Sequence, residues 1–253
     1  MIKLFVLDVD GCISIPFKSP DFEVLSAIKD LQIRSFEDPA IPSITICSGR
    51  PMTYIEAVAQ WLGVKHPFVF ESGGGIYDVK ANRLHWSPEF NSEVQSKQQE
   101  FRTWVLDEII AKNPGTILEF TKKTDVGIIN QSEKEIIRMY NAIKEEVEKN
   151  YPFMEVHRTE ISVNAILKAS NKGFGLEQLS TYTGIGLDEM AYIGDSSGDI
   201  PALQKAEIGF VPANGTKETH QYGISLKSSA TEAVLEAYEK LIEHNLLLQQ
   251  THP

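Results

Sequence analysis

Short apolar runs that alternate with segments of helical period most strongly constrain the fold of this sequence. The runs at 2–7, 43–47 and 68–70 are separated by segments at 21–33 and 52–62, in which apolar residues recur every three or four positions. Strands buried on both faces appear as continuous apolar runs, and they alternate with helices in parallel α/β sheets. The sequence therefore predicts an α/β fold with a doubly wound, Rossmann-like parallel sheet.

The same rhythm returns in the last third of the chain. Strands are predicted at 190–193, 207–211 and 224–226, and an amphipathic helix is predicted from 231 to about 247. We expect the short tail after this helix to fray. The core would thus be built from both ends of the chain, residues 1–82 and 168–253.

The middle of the chain, residues 83–167, follows a different order. The predicted elements are a helix at 93–111, strands at 116–120 and 126–130, a helix at 133–149, and strands at 153–157 and 161–167. A helix-strand-strand unit repeated twice predicts an antiparallel sheet with helices on one face. Because 253 residues lie near the size at which chains split into domains, we expect this segment to be an inserted α+β domain.

Charge and cysteine content exclude several classes of function. The formal net charge is -11, which disfavours nucleic acid and anionic membranes as partners. The apolar start of the chain meets Asp8 too early for a signal peptide or a membrane span. Cys12 and Cys47 form neither a disulfide framework nor a zinc pattern. A cytoplasmic location is therefore expected.

Two acidic pairs follow predicted strands. Asp8 and Asp10 come after the first strand, and Asp195 and Asp199 come after the strand at 190–193. The carboxyl ends of parallel strands meet at one edge of a sheet, so the two loops are expected to converge. Four carboxylates form an oxygen-rich site that suits Mg²⁺ better than zinc. The alternative for the second pair is that Asp195 lies in a turn and Asp199 caps a helix.

Other residues point to an anion. Ser48, Gly49 and Arg50 place a hydroxyl and backbone N–H groups between a strand and a helix N-terminus, which is a common phosphate-binding arrangement. Lys172 opens a predicted helix, where its charge opposes the helix dipole unless an anion lies nearby. Ser48 as a simple helix cap and Lys172 as a solvated side chain are the alternatives.

Taken together, these motifs resemble a known family. DVDG at 8–11, Ser48, Lys172 and GDSSGD at 194–199 resemble the four ordered motifs of the haloacid dehalogenase superfamily. The inserted segment is similar to that superfamily's class II cap. The resemblance extends to the Cof-like phosphatases and to phosphoglycolate, sucrose-phosphate and mannosyl-phosphoglycerate phosphatases.

The resemblance implies roles for the site residues. Asp8 would attack phosphorus to form an aspartyl-phosphate, while Asp10 would protonate the leaving oxygen and later deprotonate water. Ser48 and Lys172 would hold the phosphate oxygens, and the second acidic pair would complete the metal shell with Asp8 and Asp10. The cap would close over the phosphate and set specificity.

Some positions differ from the family pattern or have two interpretations. Cys12 stands where threonine is commonest, and Gly198 replaces a usual asparagine. The two cysteines near the site are either redox-sensitive or buried bystanders. Asn214 resembles a family asparagine that contacts substrate, with a turn-forming role as the alternative. Lys122 and Lys123 either reach a second anionic group or lie in a solvated turn.

The sequence thus predicts a Mg²⁺-dependent phosphatase acting on a small phosphorylated molecule, a sugar phosphate or a phospho-acid such as phosphoglycolate. The alternatives are a phosphotransferase or phosphomutase on the same scaffold, and a non-catalytic metal-binding regulatory module. A monomer or homodimer is expected.

Overall fold

The computed structural model describes residues 1–251, which divide into two compact units. Unit 1 contains residues 1–85 together with the chain from Lys172 onward, and unit 2 spans Trp86–Asn171. The sequence placed these boundaries at 83 and 167. The first differs because residues 83–85 lie in a strand that pairs within a small sheet of unit 1. Within residues 1–251, no helix has the length and apolar character needed to cross a membrane.

The first half of unit 1 alternates strands and helices before ending in a small sheet. Its elements are β1 (Leu4–Leu7), α1 (Phe22–Arg34), β2 (Ser43–Ile46), α2 (Met52–Leu62), β3 (Phe68–Phe70), β4 (Gly75–Asp78) and β5 (Arg83–Trp86). The Asp21 side chain caps α1 by accepting hydrogen bonds from the backbone N–H groups of Glu23 and Val24. Gly63 ends α2 in the left-handed conformation, with φ of 69°.

Unit 2 is an antiparallel sheet with two helices. Its elements are α3 (Ser92–Trp104), which continues as a π-helix over Val105–Ile110, then β6 (Ile117–Leu118), β7 (Val126–Ile129), α4 (Glu133–Asn150), β8 (Met154–Arg158) and β9 (Ser162–Leu167). The strand order is β6-β7-β9-β8. Phe101 of α3 and Ile136 and Ile143 of α4 pack with Val126 and Val163 of the sheet in one apolar core. The unit is the α+β arrangement that the repeated pattern predicts.

The chain then returns to unit 1. The remaining elements are α5 (Lys172–Thr183), β10 (Met190–Ile193), α6 (Ile200–Leu203), β11 (Ile208–Val211), β12 (Ile224–Ser225) and α7 (Ala230–Thr251). The last helix is longer than predicted, so the expectation of a frayed tail after 247 is wrong up to 251. The end of that predicted tail, 252–253, lies outside the described residues.

The main sheet of unit 1 is parallel, with the order β12-β11-β10-β1-β2. The sequence predicted the run at 68–70 as a strand of the parallel core sheet, but β3 is not among the five strands of that sheet. β3 instead pairs antiparallel with β4 in a separate three-stranded sheet, and it touches β2 through one parallel bridge between Cys47 and Val69. A tight turn at 71–74 connects the two strands of this hairpin.

Both faces of the main sheet are covered, as its apolar strands require. Phe5 of β1 packs edge-on against Tyr238 of α7, with ring centroids 5.7 Å apart. Leu4 and Val6 point the other way and cluster with Leu176 of α5. These layers confirm the predicted doubly wound α/β core.

The order of the main sheet also locates a ligand site. β1 is followed in sequence by β2 on one side, whereas β10 lies on its other side, so the winding direction reverses between β1 and β10. The backbone N–H of Asp8 bonds the Ile193 carbonyl at 3.1 Å across this point. In open parallel sheets, ligands bind beyond the carboxyl ends of the strands where the order reverses.

Candidate active site

Asp8 lies at this reversal point, one residue past the end of β1. The residue is 3% exposed, and its Oδ1 atom lies 2.9 Å from the Nζ atom of Lys172, the first residue of α5. The two atoms form an ion pair, but no directed hydrogen bond reaches this Oδ1. The Lys172 ammonium is thus the group that compensates this buried oxygen, through its charge.

Lys172 bridges two carboxylates. Its Nζ also donates to Oδ1 of Asp199 at 2.6 Å, and the Tyr192 hydroxyl donates to the same oxygen at 2.5 Å. Burial would lower the pKa of Lys172, but the charges of Asp199 and Asp8 raise it well above 10.5. The lysine is therefore a fixed positive charge beside Asp8.

Asp199 is fully engaged by protein donors. Its Oδ2 accepts hydrogen bonds from the backbone N–H groups of Asp195 (3.2 Å) and Ser196 (2.9 Å), and from the Ser196 hydroxyl (2.9 Å). Burial opposes ionisation, but the Lys172 charge and these hydrogen bonds lower the pKa of Asp199 below 3.8. A Cβ atom at Gly194 would lie 2.3 Å from Asp199 Cγ, so the close approach requires glycine there. The Asp199 carboxylate therefore fixes the conformation of the loop that carries Asp195 and Ser196.

Asp195 has the opposite surroundings. Across the described chain, no hydrogen bond or ion pair reaches its carboxylate. One potential ligand atom from each of Asp8, Cys12 and Asp195 lies within 4.8 Å of the others. Burial, reinforced by the charge of Asp199, raises the pKa of Asp195 to about 8 and that of Asp8 to about 7. These raised values reflect negative charge that one lysine does not balance.

The donor set fits a hard divalent cation. Asp8 and Asp195 supply carboxylate oxygens in a region with excess negative charge, and within the described residues that of Asp195 has no protein donor. Such oxygens are the preferred ligands of Mg²⁺. Cys12 is a soft donor that Mg²⁺ does not favour, and burial together with the Asp195 and Asp8 charges raises the pKa of its thiol well above 9.0. We therefore treat Cys12 as a neighbour of the site.

The Asp10 carboxylate forms an ion pair with Arg50. Arg50 donates from Nε to Asp10 Oδ2 at 2.6 Å and from Nη2 to Asp10 Oδ1 at 2.8 Å. The Arg50 guanidinium also lies over the Tyr54 ring, 5.1 Å from its centroid. Asp10 is close enough to Asp8 and Asp195 for its charge to contribute to their raised pKa values.

The Ser48 loop follows β2 at the same edge of the sheet. Ser48 is 1% exposed, and its backbone N–H bonds the Val69 carbonyl at 3.2 Å. The N–H groups of Glu71 and Ser72 bond the carbonyls of Arg50 and Ser48, each at 3.0 Å. This loop is held from three points along the neighbouring segment.

Asn214 spans two loops rather than facing an open space. Its Nδ2 donates to the Gly11 carbonyl at 2.9 Å, and its Oδ1 accepts from the Ala230 N–H at 2.8 Å. Both ends of the amide are used by the backbone. This geometry favours a loop-positioning role over the predicted substrate contact.

Several contributors were missed from the sequence. Tyr192, a hydroxyl inside an otherwise apolar buried strand, donates to Asp199. A buried tyrosine usually finds a partner for its hydroxyl, so its position two residues before Gly194 was a usable signal. Glu71 and Ser72 have φ values of 48° and 57°, which no sequence pattern indicated.

Lys122 is buried whereas Lys123 is exposed, so the two lysines of this turn in unit 2 have different surroundings. Lys122 is 5% exposed and its Nζ contacts Oε2 of Glu119 at 2.8 Å and Oδ1 of Asn164 at 2.6 Å. Lys123 lies over the Trp86 ring at 5.0 Å. The solvated-turn interpretation of Lys122 is therefore wrong, and its charge is balanced inside unit 2.

The fold and this cluster of carboxylates and lysine define a hydrolase site, and sequence comparison gives the family. A model of the haloacid dehalogenase-like hydrolases matches residues 82–237, and the chain belongs to that family. It is therefore a hydrolase, and its named relatives are phosphatases.

Individual proteins show the same relationship. The chain is 23% identical over 251 residues to a phosphoglycolate phosphatase of Methanococcoides burtonii, covering 98% of this chain and 100% of that protein. Its fold is similar to a haloacid dehalogenase-like hydrolase from Bacteroides thetaiotaomicron (TM-score 0.71, 17% identity, covering 95% and 100% of the two chains). It is also similar to the sucrose-phosphatase of Synechocystis sp. PCC6803, solved with sucrose and phosphate (TM-score 0.69, 16% identity, 95% and 98%). These findings confirm the resemblance drawn from the motifs.

Proposed function

We propose that the protein is a Mg²⁺-dependent phosphatase that hydrolyses a small phosphate monoester, a sugar phosphate or a phospho-acid, through an aspartyl-phosphate on Asp8. The observation that carries the proposal is the placement of Asp8 at the reversal point of the sheet, 2.9 Å from a buried lysine and beside Asp195. A nucleophilic carboxylate, a fixed cation and a second acid are the groups that this reaction needs.

Asp8 and Asp195 would hold the metal. When bound, Mg²⁺ would balance the carboxylate charges and neutralise charge on the phosphate oxygens. Asp199 is not included, because both of its oxygens already accept hydrogen bonds from protein donors. Its proposed role is to fix Lys172 and the loop that carries Asp195. This revises the expectation that both acids of the second pair ligate the metal.

The chain's own residues would perform two transfers. In the first, an Asp8 oxygen bonds to phosphorus, the ester P–O bond breaks, and Asp10 gives its proton to the leaving oxygen. In the second, Asp10 takes a proton from water, whose oxygen bonds to phosphorus, and the Asp8–phosphorus bond breaks to release phosphate. Asp10 ends as it began, so the cycle needs no other reactant.

Lys172 and the Ser48 loop would bind the phosphate. The lysine is buried and permanently charged, so it can stabilise charge on the equatorial oxygens without reorganising. The Ser48 hydroxyl and the N–H groups before α2 lie at the same sheet edge. Asn214 is proposed to hold the Gly11 loop in place.

The substrate class draws its support from relatives whose names refer to phosphoglycolate and sucrose phosphate. At identities of 23% and 16%, these names support a small phosphorylated molecule without selecting one. Selection of the substrate by unit 2, a monomeric or homodimeric state, and a reducing cytoplasmic location remain predictions.

Phosphate release tests the proposal. Purified protein with Mg²⁺ and a panel of phosphomonoesters, with no added acceptor, is expected to release inorganic phosphate from at least one substrate. Asp8→Asn keeps the shape of the side chain but removes the attacking anion, so activity should fall by several powers of ten. Asp30→Asn, at an exposed position on α1, is the matched control and should retain full activity.

Three outcomes would contradict the proposal. Turnover that requires a sugar acceptor would indicate a phosphotransferase, and full activity of Asp8→Asn would indicate another nucleophile. No turnover of any panel member would favour a non-catalytic module.

A further inference from the structure

Arg50 donates two parallel hydrogen bonds to the Asp10 carboxylate. The Nε–Oδ2 and Nη2–Oδ1 distances are 2.6 and 2.8 Å, which is the bidentate arrangement of a guanidinium and a carboxylate. Two bonds to a planar group fix both the position and the plane of the carboxylate. A single contact would leave the side chain free to rotate.

Arg50 is itself anchored on several sides. Its guanidinium lies 5.1 Å from the Tyr54 ring centroid, and its backbone N–H lies 3.4 Å from the Ser48 hydroxyl oxygen. The Glu71 N–H bonds the Arg50 carbonyl at 3.0 Å. Contacts therefore fix both the backbone and the guanidinium group of Arg50.

The segment that anchors Arg50 is under backbone strain. Glu71 and Ser72 are consecutive non-glycine residues in the left-handed region, with φ of 48° and 57°, and Glu71 is buried. Such conformations are unfavourable for non-glycine residues and persist where the surroundings enforce them, often at functional sites. Strain beside the Ser48–Arg50 loop is consistent with a segment that serves the geometry of the site.

We infer that Arg50 is a positioning residue for Asp10. By holding the Asp10 carboxyl group in place, Arg50 accelerates the hydrolysis of phosphate esters whose leaving group is an alkoxide. The inference rests on the proposed function. An alkoxide leaves slowly unless a proton reaches its oxygen, so an acid within hydrogen-bond reach is required. The two bonds from Arg50 use one lone pair on each Asp10 oxygen, which leaves a second lone pair on each for proton exchange with the substrate.

This role differs from the substrate contact predicted for Arg50 from the sequence. A residue that binds the phosphate would affect every substrate alike, because every substrate carries that group. A residue that positions the acid would matter only where the leaving group needs a proton. A nitrophenolate leaves without one, whereas an alkoxide does not.

The test compares two substrates in Arg50→Ala. The value of kcat/KM reports on phosphoryl transfer to Asp8, and it is measured for p-nitrophenyl phosphate and for the best alkyl phosphate of the panel. We expect a loss of about 100-fold for the alkyl phosphate, the scale of a misplaced catalytic group. The value for p-nitrophenyl phosphate should stay near wild type, which also shows that the variant is folded.

A double-mutant cycle gives the control. Asp10→Asn should show the same dependence on leaving group, and adding Arg50→Ala to it should cause no further loss for the alkyl phosphate. Equal losses for both substrates in Arg50→Ala, or additive losses in the double variant, would overturn the inference while leaving the phosphatase proposal intact. A wild-type protein that hydrolyses neither substrate would instead overturn the proposed function and this inference with it.

Discussion

Replacing Lys172 by methionine removes the ammonium that lies 2.9 Å from Asp8 and 2.6 Å from Asp199. Methionine has nearly the same length and fills the same space, so the change deletes a charge rather than volume. The three side chains are at most 7% exposed. Water therefore cannot replace the missing cation.

The expected cost follows from that burial. Removing one partner of a buried ion pair typically costs about 3–5 kcal/mol, because the remaining charge is left uncompensated. For a chain of this size that corresponds to a Tm lower by about 6–20 °C. An exposed pair contributes much less, and the loss of Lys240, whose Nζ lies 3.7 Å from Glu236 with 46% of its side chain exposed, should cost at most about 0.5 kcal/mol.

Calorimetry of the metal-free wild type, Lys172→Met and Lys240→Met measures the difference. Both substitutions replace a lysine by a methionine in unit 1, so the chemical change is the same and the burial of the ion pair differs. If Lys172→Met melts within a degree or two of Lys240→Met, the lysine is not the main compensating charge of the cluster. The electrostatic account of the site would then be wrong.

Three further predictions concern the metal site and the thiols. Burial raises the pKa of Asp8 to about 7 and that of Asp195 to about 8 in the metal-free fold. The folded protein therefore keeps protons on these two carboxylates that the unfolded chain loses. The stabilisation from this difference is complete below pH 3.8 and is lost as the pH rises toward 8. Mg²⁺ should therefore raise Tm more at alkaline than at acid pH in thermal-shift series with and without chelator, and an effect independent of pH would contradict this. Gly11→Ala and Gly63→Ala both place a Cβ on left-handed backbone (φ +76° and +69°), but only at Gly11 does it fall 2.0 Å from the Asp195 carboxylate. Both variants should lose stability and only Gly11→Ala should lose the Mg²⁺-induced shift; a normal shift in that variant would refute the clash. Both cysteines are fully buried, with thiol pKa values raised by burial, so peroxide should leave phosphatase activity unchanged, and inactivation that a cysteine-to-serine variant prevents would show a redox role.

Much of the fold follows from local pattern. α2 and β10 have the predicted limits, because a buried strand or an amphipathic helix with clear end signals specifies itself locally. The position of β3 does not. The run Phe68–Phe70 is equally apolar in a parallel core sheet and in an antiparallel hairpin, and its partner is decided by the tight turn at 71–74.

The sequence predicted that the acids lie close together, but it did not predict that Asp195 and Asp199 have different surroundings. The order of the sheet places β1 beside β10, so the loops that carry Asp8 and Asp195 meet at one edge. Which acid faces a metal depends on donors that come from elsewhere in the fold. Asp199 meets Tyr192 and Lys172, whereas Asp195 meets neither.

The Arg50–Asp10 pair was also beyond the sequence. Forty residues separate the two, and an arginine before a helix is as compatible with phosphate binding as with an ion pair. Which of the two roles Arg50 has depends on the side-chain rotamers of Arg50 and Asp10, and the sequence does not specify these.

In the proposed reaction, Asp8 becomes phosphorylated during turnover. The direct measurement is rapid quenching of the enzyme during reaction with a ³²P-labelled substrate from the panel, followed by mapping of the protein-bound label. We expect label that is stable to acid, labile to alkali and hydroxylamine, and located in the peptide that contains Asp8. Label on a different residue, or phosphate release in which no label ever appears on the protein, would contradict the account.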